Sequence, residues 1–370
     1  MINQKREVSG YIMVMALLLV SMITMIVVVI FNKTMIAVPF THIMIEDHKA
    51  RILSKAGVAL FNAQLCKPFV KKKSDVTKQQ HEKETGEQSV DPDNYFLEQL
   101  FPVLNKWQSV FLKRDIDGID AEVSFCICCE DGKINLNKMF DFEKKEFVGE
   151  KQKEGNYKLL LEELCKRLEK HLKTKDLFGS LEKFLKKQKV PLEDITQLLE
   201  IKEWAPWKNR VFYGKGTERL KSLTEQADQK EKASLYLTDI FTVATNHATI
   251  EPWVFSAGLM QLLGLVKSFD EKDAKKGSFK EHLKSFKKRV TWKTEWNNIL
   301  KPIYQKELQS LPEHIDSFLS STFSPTTFMV LCQAKVGRAI ACSCAIVERT
   351  VRAKDEKQEY AIQIKKIYWI

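Results

Sequence analysis

The stretch 11-YIMVMALLLVSMITMIVVVIF-31 contains no charged residue, glycine or proline. A helix rises about 1.5 Å per residue, so this run spans about 30 Å, the thickness of the hydrocarbon layer of a membrane. Lys5 and Arg6 precede the run, and the positive-inside tendency therefore keeps the short N-terminus in the cytoplasm, although Lys33 on the far side weakens the bias. The sequence predicts one membrane-spanning helix followed by an exported domain.

The run is longer than the apolar part of a cleavable secretory signal, which has about 7 to 15 residues before a cleavage site of small residues. Asn32, Lys33, Thr34 and Met35 follow the run here. An uncleaved span is therefore favoured over an ordinary secretory signal.

The helical pattern continues beyond the span through 42-HIMIEDHKARILSKAGVALFNAQL-65. Pro39 removes one backbone hydrogen bond and is expected to kink the long helix rather than end it. The apolar residues of this segment approximate a stripe along the helix, as in an amphipathic helix. The stripe consists of Ile43, Ile45, Ala50, Ile52, Leu53, Ala56 and Leu60. Residues 11–31 and 32–66 are thus predicted to be the membrane-spanning and exported parts of one helix.

Composition and charge indicate a folded protein and argue against nucleic-acid binding. The chain has 370 residues, of which 44% are hydrophobic, enough to build buried cores. Its formal charge of +11 comes from Lys and Arg scattered among many Asp and Glu, as in 166–189, which is typical of a solvated helix face. Nucleic-acid binding is not predicted, because basic residues interleaved with exposed aromatics are missing.

Cysteines and histidines give no sign of a metal or catalytic site. The eight cysteines form no cluster with histidines at zinc spacing, and their pairing as disulfides is left open. No HExxH, GxSxG or phosphate-binding loop pattern occurs. The sequence predicts no catalysis and no metal ligands.

The middle of the chain changes character twice. Residues 67–140 are predicted to be the first part of a mixed domain, with an exposed loop at 71–94, a helix from Tyr95 to Val110 and a strand at 120–129. Residues 141–234 are predicted to be an inserted α-helical subdomain. Its helices are expected at 157–172, 178–188 and 192–204.

Residues 235–370 are predicted to complete the mixed domain. A strand is expected at 235–245 and a helix at 254–269, followed by a charged helical insertion at about 267–319. Alternating β-branched residues then predict three antiparallel strands. These strands are expected at 326–336, 338–349 and 359–369. The order of helix, strand, helical insertion and antiparallel strands predicts an α+β fold.

The segment 8-VSGYIMVMALLL-19 resembles a prepilin-peptidase site, with a basic leader ending at Gly10 and the apolar span beginning at Tyr11. With two later segments, 130–140 and 238–263, in the same order over most of the chain, it resembles one family, the general secretion pathway protein K minor pseudopilins. Pilins generally carry a Glu at the fifth residue after the cut. This chain has Met15 there, and K-type proteins similarly lack the Glu. A buried carboxylate needs a partner amine on the adjoining subunit, and a tip subunit has no subunit above it.

The second segment, 130-EDGKINLNKMF-140, is similar to the family's acidic-Gly-basic-Ile-Asn-Leu-Asn element. Gly132 suits a turn that needs positive φ, and the two asparagines can hydrogen-bond neighbouring backbone. The residues that carry this match are Asp131, Gly132, Ile134, Asn135, Leu136 and Asn137.

The third segment, 238–263, is similar to the family's second strand-turn-helix element. The matching residues are Thr242, Val243, Ile250, Ser256 and Leu259, whereas Glu251 and Trp253 stand in place of the family's two asparagines. Some family members bind calcium, but Glu203-Trp204 lies in a basic setting here, and hard cations need several converging oxygens. No cofactor is therefore expected.

The resemblance implies a pilin-like fold, with the long N-terminal helix packed on an antiparallel sheet that carries the helical insertion. It also implies removal of leader residues 1–10 by prepilin peptidase and methylation of the Tyr11 amine. The implied role is capping and nucleating the periplasmic pseudopilus of a type II secretion system from the bacterial inner membrane. Implied partners are I-type and J-type minor pseudopilins, other pseudopilins and membrane lipid.

Two other functions stay open at this point. A type IV pilus minor pilin shares the leader but not the Ile-Asn-Leu-Asn element, and a single-pass, membrane-tethered periplasmic binding module shares only the anchor. The order of the three segments favours the pseudopilin.

Overall fold

The computed structural model describes seven ranges of the chain. They are residues 4–65, 103–151, 155–212, 235–265, 290–323, 325–354 and 357–370. The predicted loop at 71–94, most of the predicted helix at 95–110 and much of the charged insertion lie outside them.

Helix α1 (Gln4–Leu65) is the longest element and passes through Pro39 without ending. From Met13 to Ile45, every side chain that the structure describes is exposed, and most of them are apolar. α1 is the one helix in the described ranges that is long and apolar enough to cross a membrane, judged by length and composition. An apolar surface of this length requires lipid or protein to cover it.

The C-terminal part of α1 packs on the sheet through small residues. Ala50, Ser54, Gly57, Val58 and Phe61 are buried at helical spacing. A Cβ on Gly57 would lie 2.5 Å from Cys332 Sγ, and Ser54 Oγ donates to the Cys332 carbonyl oxygen at 3.1 Å. The helix therefore approaches the sheet closely, and residue size determines which face is buried.

The apolar stripe in the sequence coincides only in part with the side of α1 that packs on the sheet. Ala50 is buried and Leu53 is half-buried, but the larger Ile52 and Leu60 are 55% and 56% exposed. Ile43, Ile45 and Ala56 are also exposed. Hydrophobicity alone therefore does not identify the side of the helix that packs on the sheet, because the close approach at Ser54 and Gly57 admits only small side chains at those two positions.

Five strands form the main antiparallel sheet, in the order β1-β2-β7-β8-β9. They are β1 (Trp107–Leu112), β2 (Ala121–Cys129), β7 (Thr327–Val336), β8 (Ala339–Lys354) and β9 (Lys357–Trp369). Shorter strands are β3 (Ile134–Asn135), β4 (Phe140–Asp141), β5 (Glu146–Phe147) and β6 (Phe241–Thr242). The strand predicted before residue 130 and the three terminal strands are confirmed, as is the α+β fold class with α1 on the sheet.

The two faces of the sheet have different neighbours. One face places Phe125 against Phe61 of α1, with ring centroids 6.2 Å apart. The opposite face carries a separate apolar cluster that includes Cys126, Cys128 and Met329. Seven cysteines are described, all are free thiols, and six of them are buried.

Strand β2 leads away from the membrane anchor. Its first residue, Ala121, pairs with Val336, which packs beside Ala50, whereas Phe125 packs beside Phe61 further along α1. The helical insertion therefore leaves the sheet at the end of β2 that is remote from the anchor.

Most helices of the insertion are as predicted, but one segment is not. Helices α2 (Tyr157–Leu172) and α3 (Leu177–Lys187) confirm two predictions. The predicted helix at 192–204 is instead two 3₁₀ helices, Ile195–Glu200 and Lys202–Trp207. Every third residue from Ile195 to Trp207 is buried, at positions 195, 198, 201, 204 and 207. That period of three matches a 3₁₀ helix and was readable in the sequence.

Three further predictions need correction. The described end of the predicted helix at 95–110 contains β1, because its backbone pairs with β2 instead of forming helical bonds. The predicted strand at 235–245 reduces to β6 after the 3₁₀ helix Leu237–Asp239, because only two residues pair with β3. The predicted helix at 254–269 is α4 (Ala257–Leu263), which ends at Gly264 with φ +68°.

The described part of the charged insertion contains helix α5 (Trp292–Ile299) and a single helical turn, Lys301–Tyr304. An aromatic cluster joins it to the domain. Trp292 Nε1 donates to the Ser320 carbonyl oxygen at 2.6 Å, and Tyr304 Oη donates to the Pro252 carbonyl oxygen at 2.6 Å. The bond from Tyr304 fixes this insertion on the third sequence segment.

Candidate functional site

The predicted processing residues lie at the start of the anchor. Gly10 and Tyr11 are in the N-terminal part of α1, ahead of the exposed apolar surface that begins at Met13. Their processing stays a prediction.

The second and third sequence segments, 130–140 and 238–263, meet in a buried junction. Strands β3 and β6 pair in parallel, with Ile134 opposite Phe241 and Asn135 opposite Thr242. The turn before β3 also bonds to the turn before α4: the Glu251 N–H donates to the Asp131 carbonyl oxygen at 2.8 Å. We call this region, 130–137 with 239–256, the polar junction.

Gly132 is required by close packing and not by backbone conformation. Its φ is not among the positive values, so the prediction of a positive-φ turn was wrong. A Cβ at this position would overlap the carbonyl oxygen of Val254 and come within 2.6 Å of its carbonyl carbon. The Ser256 N–H donates to the Gly132 carbonyl oxygen at 3.2 Å, which holds the two turns at that separation.

Asn135 connects the two segments through its side chain. Its Oδ1 accepts from the Asn137 N–H at 3.0 Å and thereby caps the single-turn helix Leu136–Met139. Its Nδ2 donates to both the carbonyl oxygen and Oγ1 of Thr245, each at 2.7 Å. The first bond is to neighbouring backbone, as the sequence indicated, whereas the others reach a residue 110 positions away.

Asn137 holds the helical insertion. Its Nδ2 donates to the Leu192 carbonyl oxygen at 2.8 Å, and its Oδ1 accepts from the Leu192 N–H at 2.8 Å. Ile134 and Leu136, each immediately before one of the two asparagines, are completely buried. The Ile-Asn-Leu-Asn element therefore alternates core contacts with polar links to two other parts of the domain.

Two charged residues in the junction were missed by sequence reasoning. The Lys133 side chain is completely buried and forms an ion pair with Glu130, whose other oxygen accepts from Thr242 Oγ1. Burial alone would lower the pKa of the Lys133 ammonium, but the nearby Glu130 carboxylate outweighs it, so the pKa is raised. Opposite charges three positions apart, between apolar runs on both sides, were the available signal.

Asp131 fastens the junction to the start of β7. Its Oδ2 accepts from the Thr326 and Thr327 N–H groups at 2.7 and 2.9 Å, and its Oδ1 has no hydrogen-bond partner among the described residues. Burial raises the pKa of this carboxyl to about 6, although the two N–H groups and His247 oppose the shift. Asp131 is therefore a buried acid with a raised pKa, and it also positions the start of β7.

The pKa of Asp131 predicts a pH dependence of stability. A carboxyl whose pKa is raised on folding binds its proton more tightly in the folded state, so its contribution to stability is present at low pH. That contribution is lost as the pH rises from about 4 to about 6, by an amount on the order of 3 kcal/mol. Urea unfolding of the full chain in detergent, followed by tryptophan fluorescence across this pH range, measures it.

Asp131→Asn is the matched variant, since its amide oxygen can accept the same two N–H groups but does not titrate. The difference in free energy of unfolding, wild type minus variant, is expected to fall as the pH rises to about 6 and then to level off. A difference that stays constant with pH would contradict the assignment to Asp131.

A second set of contacts joins the insertion to the opposite edge of the sheet. Asp194 caps the first 3₁₀ helix by accepting from the Thr196 N–H at 2.9 Å. The same carboxylate accepts from Tyr368 Oη at 2.8 Å and forms an ion pair with Lys366, both on β9. Burial raises the pKa of Asp194, but the hydrogen bonds from Lys366, Thr196 and Tyr368 outweigh it and leave the pKa lowered.

The junction does not fit a calcium ion. Within the described ranges, no group of three or more His, Cys, Asp or Glu side chains is placed to hold a metal ion. The Asp131 Oδ2 and both Glu130 oxygens are already engaged by N–H, hydroxyl or ammonium donors. The polar junction therefore fixes the positions of the main sheet, the helical insertion and the third sequence segment relative to one another.

Comparison with solved structures gives a structural likeness. No known family model matches the chain, and no curated protein matches it. Among solved structures, it is similar to a chain in the crystal structure of the GspK-GspI-GspJ complex from the enterotoxigenic Escherichia coli type 2 secretion system. The identity is 9%, the TM-score is 0.36, and the match covers 71% of this chain and 82% of that chain.

Proposed function

We propose that the chain is a minor pseudopilin that caps and nucleates the periplasmic pseudopilus of a type II secretion system. It is anchored in the inner membrane by residues 11–31 with its N-terminus in the cytoplasm, and the domain is periplasmic. Its role is in protein transport and assembly, without catalysis. The I-type and J-type minor pseudopilins are its partners.

The observation that carries the proposal is the division of α1 into two halves. Its first half exposes apolar side chains from Met13 to Ile45, while one face of its second half, from Ala50 to Phe61, is buried against an antiparallel sheet. Such a helix serves to join a folded domain to a membrane and to neighbouring membrane helices. Van der Waals packing of the spans drives that association, since lipid gives no hydrophobic advantage.

Two features support a place at the tip. Met15 stands where other pilins carry the glutamate that pairs with the subunit above. The helical insertion leaves the sheet at the end remote from the anchor and is locked there by Asn137 and Asp194. A rigid mass in that position blocks the addition of a further subunit.

The test is mass spectrometry of the mature N-terminus from membranes, with and without prepilin peptidase. We expect a chain that begins at Tyr11 with a methylated amine when the peptidase is present, and an uncut chain when it is absent. Gly10→Leu is expected to abolish the cut, whereas Gly118→Leu, in an exposed turn, leaves it unchanged. If the chain begins at Met1 or beyond residue 31 when the peptidase is present, the protein is not processed as a pilin, and a membrane-tethered binding module is favoured.

A further inference from the structure

The outer side of α1 carries a second apolar stripe that the domain leaves uncovered. Val38, Ile45, Ile52 and Ala59 recur every seven residues and are all exposed, with Ala56 beside them. At 3.6 residues per turn, Ile52 lies on the side of the helix opposite to Ser54, which faces the sheet. We call these five residues the outer stripe. It extends for about 32 Å along the helix axis.

The seven-residue spacing is the spacing used for contact with another helix. A straight α-helix drifts by only about 20° per seven residues, so the stripe stays on one side throughout this length. The described parts of the domain pack on the other side of α1, against β2, β7 and β8. The stripe also continues directly from the membrane span, so a helix that covers it is anchored in the same bilayer.

The charges beside the stripe indicate which kind of helix covers it. Lys49 lies within the stripe between Ile45 and Ile52, and Lys55 lies at its edge, and both are exposed. The ion pairs on this part of α1 between described residues are His42–Glu46 and Arg51–Asp47, which leave both lysines available. A second copy packed in parallel would bring Lys49 towards Lys55 of the other copy, and like charges there are unfavourable.

From this charge pattern we infer that the outer stripe docks a membrane-anchored helix of a different subunit, one with an apolar face flanked by Asp or Glu. The inference rests on the proposed function and deepens it, because it assigns the chemistry of the neighbouring helix and excludes self-association through this face. Burial of the isoleucines supplies affinity, and Lys49 and Lys55 select the partner and its register.

The test uses the full chain in membranes with photoreactive benzoylphenylalanine in place of Ile52. Three probes are co-expressed separately: a single-pass helix with an apolar stripe flanked by Glu, the same helix flanked by Lys, and a tagged second copy of this chain. We expect about five-fold or more cross-linking to the Glu-flanked helix over each of the other two. Benzoylphenylalanine in place of Phe111, which is exposed on the sheet, is expected to show no such preference.

Charge reversal provides the matched control. The double variant Lys49→Glu with Lys55→Glu is expected to exchange the preference, so that the Lys-flanked helix is captured. The double variant Lys138→Glu with Lys335→Glu makes the same change in net charge at exposed positions elsewhere and is expected to leave the preference intact.

Several outcomes overturn the inference: equal capture of all three probes, no capture of any, or capture of the second copy above the Glu-flanked helix. The N-terminus of the same preparations separates this result from the proposed function. A chain correctly processed at Tyr11 that shows no charge preference at position 52 contradicts the docking inference alone.

Discussion

Lys133→Met is expected to lower the free energy of unfolding by about 3–5 kcal/mol, because it leaves the Glu130 carboxylate buried without its cation. The Lys133 side chain is completely buried and that of Glu130 is 4% exposed, so water cannot replace the lost partner. Methionine has a similar length and keeps the packing around the lysine stem. Urea unfolding of the full chain in detergent at neutral pH measures the loss.

A double variant separates the effect of the lost charge from the effect of changed packing. Glu130→Gln combined with Lys133→Met removes both charges and is expected to recover most of the stability, since a neutral pair has no desolvation cost to offset. A loss below about 1 kcal/mol for Lys133→Met alone would show that water hydrates the Glu130 carboxylate in place of the lysine.

Gly132→Ala is expected to destabilise the domain by about 3 kcal/mol or more, although it adds a single methyl group. That methyl would overlap the Val254 carbonyl, and both partners are backbone, so no side chain can rotate away. Relief requires the two turns of the polar junction to separate. Separation would weaken the bond between the Ser256 N–H and the Gly132 carbonyl oxygen as well. The thermal midpoint and the urea midpoint both measure the effect.

Gly118→Ala is the matched control for this prediction. Gly118 has φ +74° and no atom within 4 Å of its added Cβ, so alanine there meets backbone strain but no overlap. It is expected to cost about 1 kcal/mol. Equal losses in the two variants would mean that the junction can open to admit a side chain at position 132.

The location of the candidate site was predictable from sequence, but its working contacts were not. The string from Asp131 to Asn137 was recognisable, and Asn135 does cap the helix that follows it. The bonds to Thr245, Leu192 and Thr327 join residues from 55 to 196 positions apart, and no local pattern encodes such pairs. Gly132 shows the same limit, since its requirement is imposed by Val254 on another segment.

The sequence by itself determined the elements whose signal is local. The membrane-length helix follows from an unbroken apolar run, and the terminal strands β7, β8 and β9 follow from alternation within each strand. Tertiary structure decided the rest. Pairing with β2 made residues 107–112 a strand. Packing on the sheet buried Ser54 and Gly57 of α1 and left the larger Ile52 and Leu60 exposed. In both cases the deciding energy comes from a surface that only the folded chain brings into contact, and propensity within a short segment does not contain it.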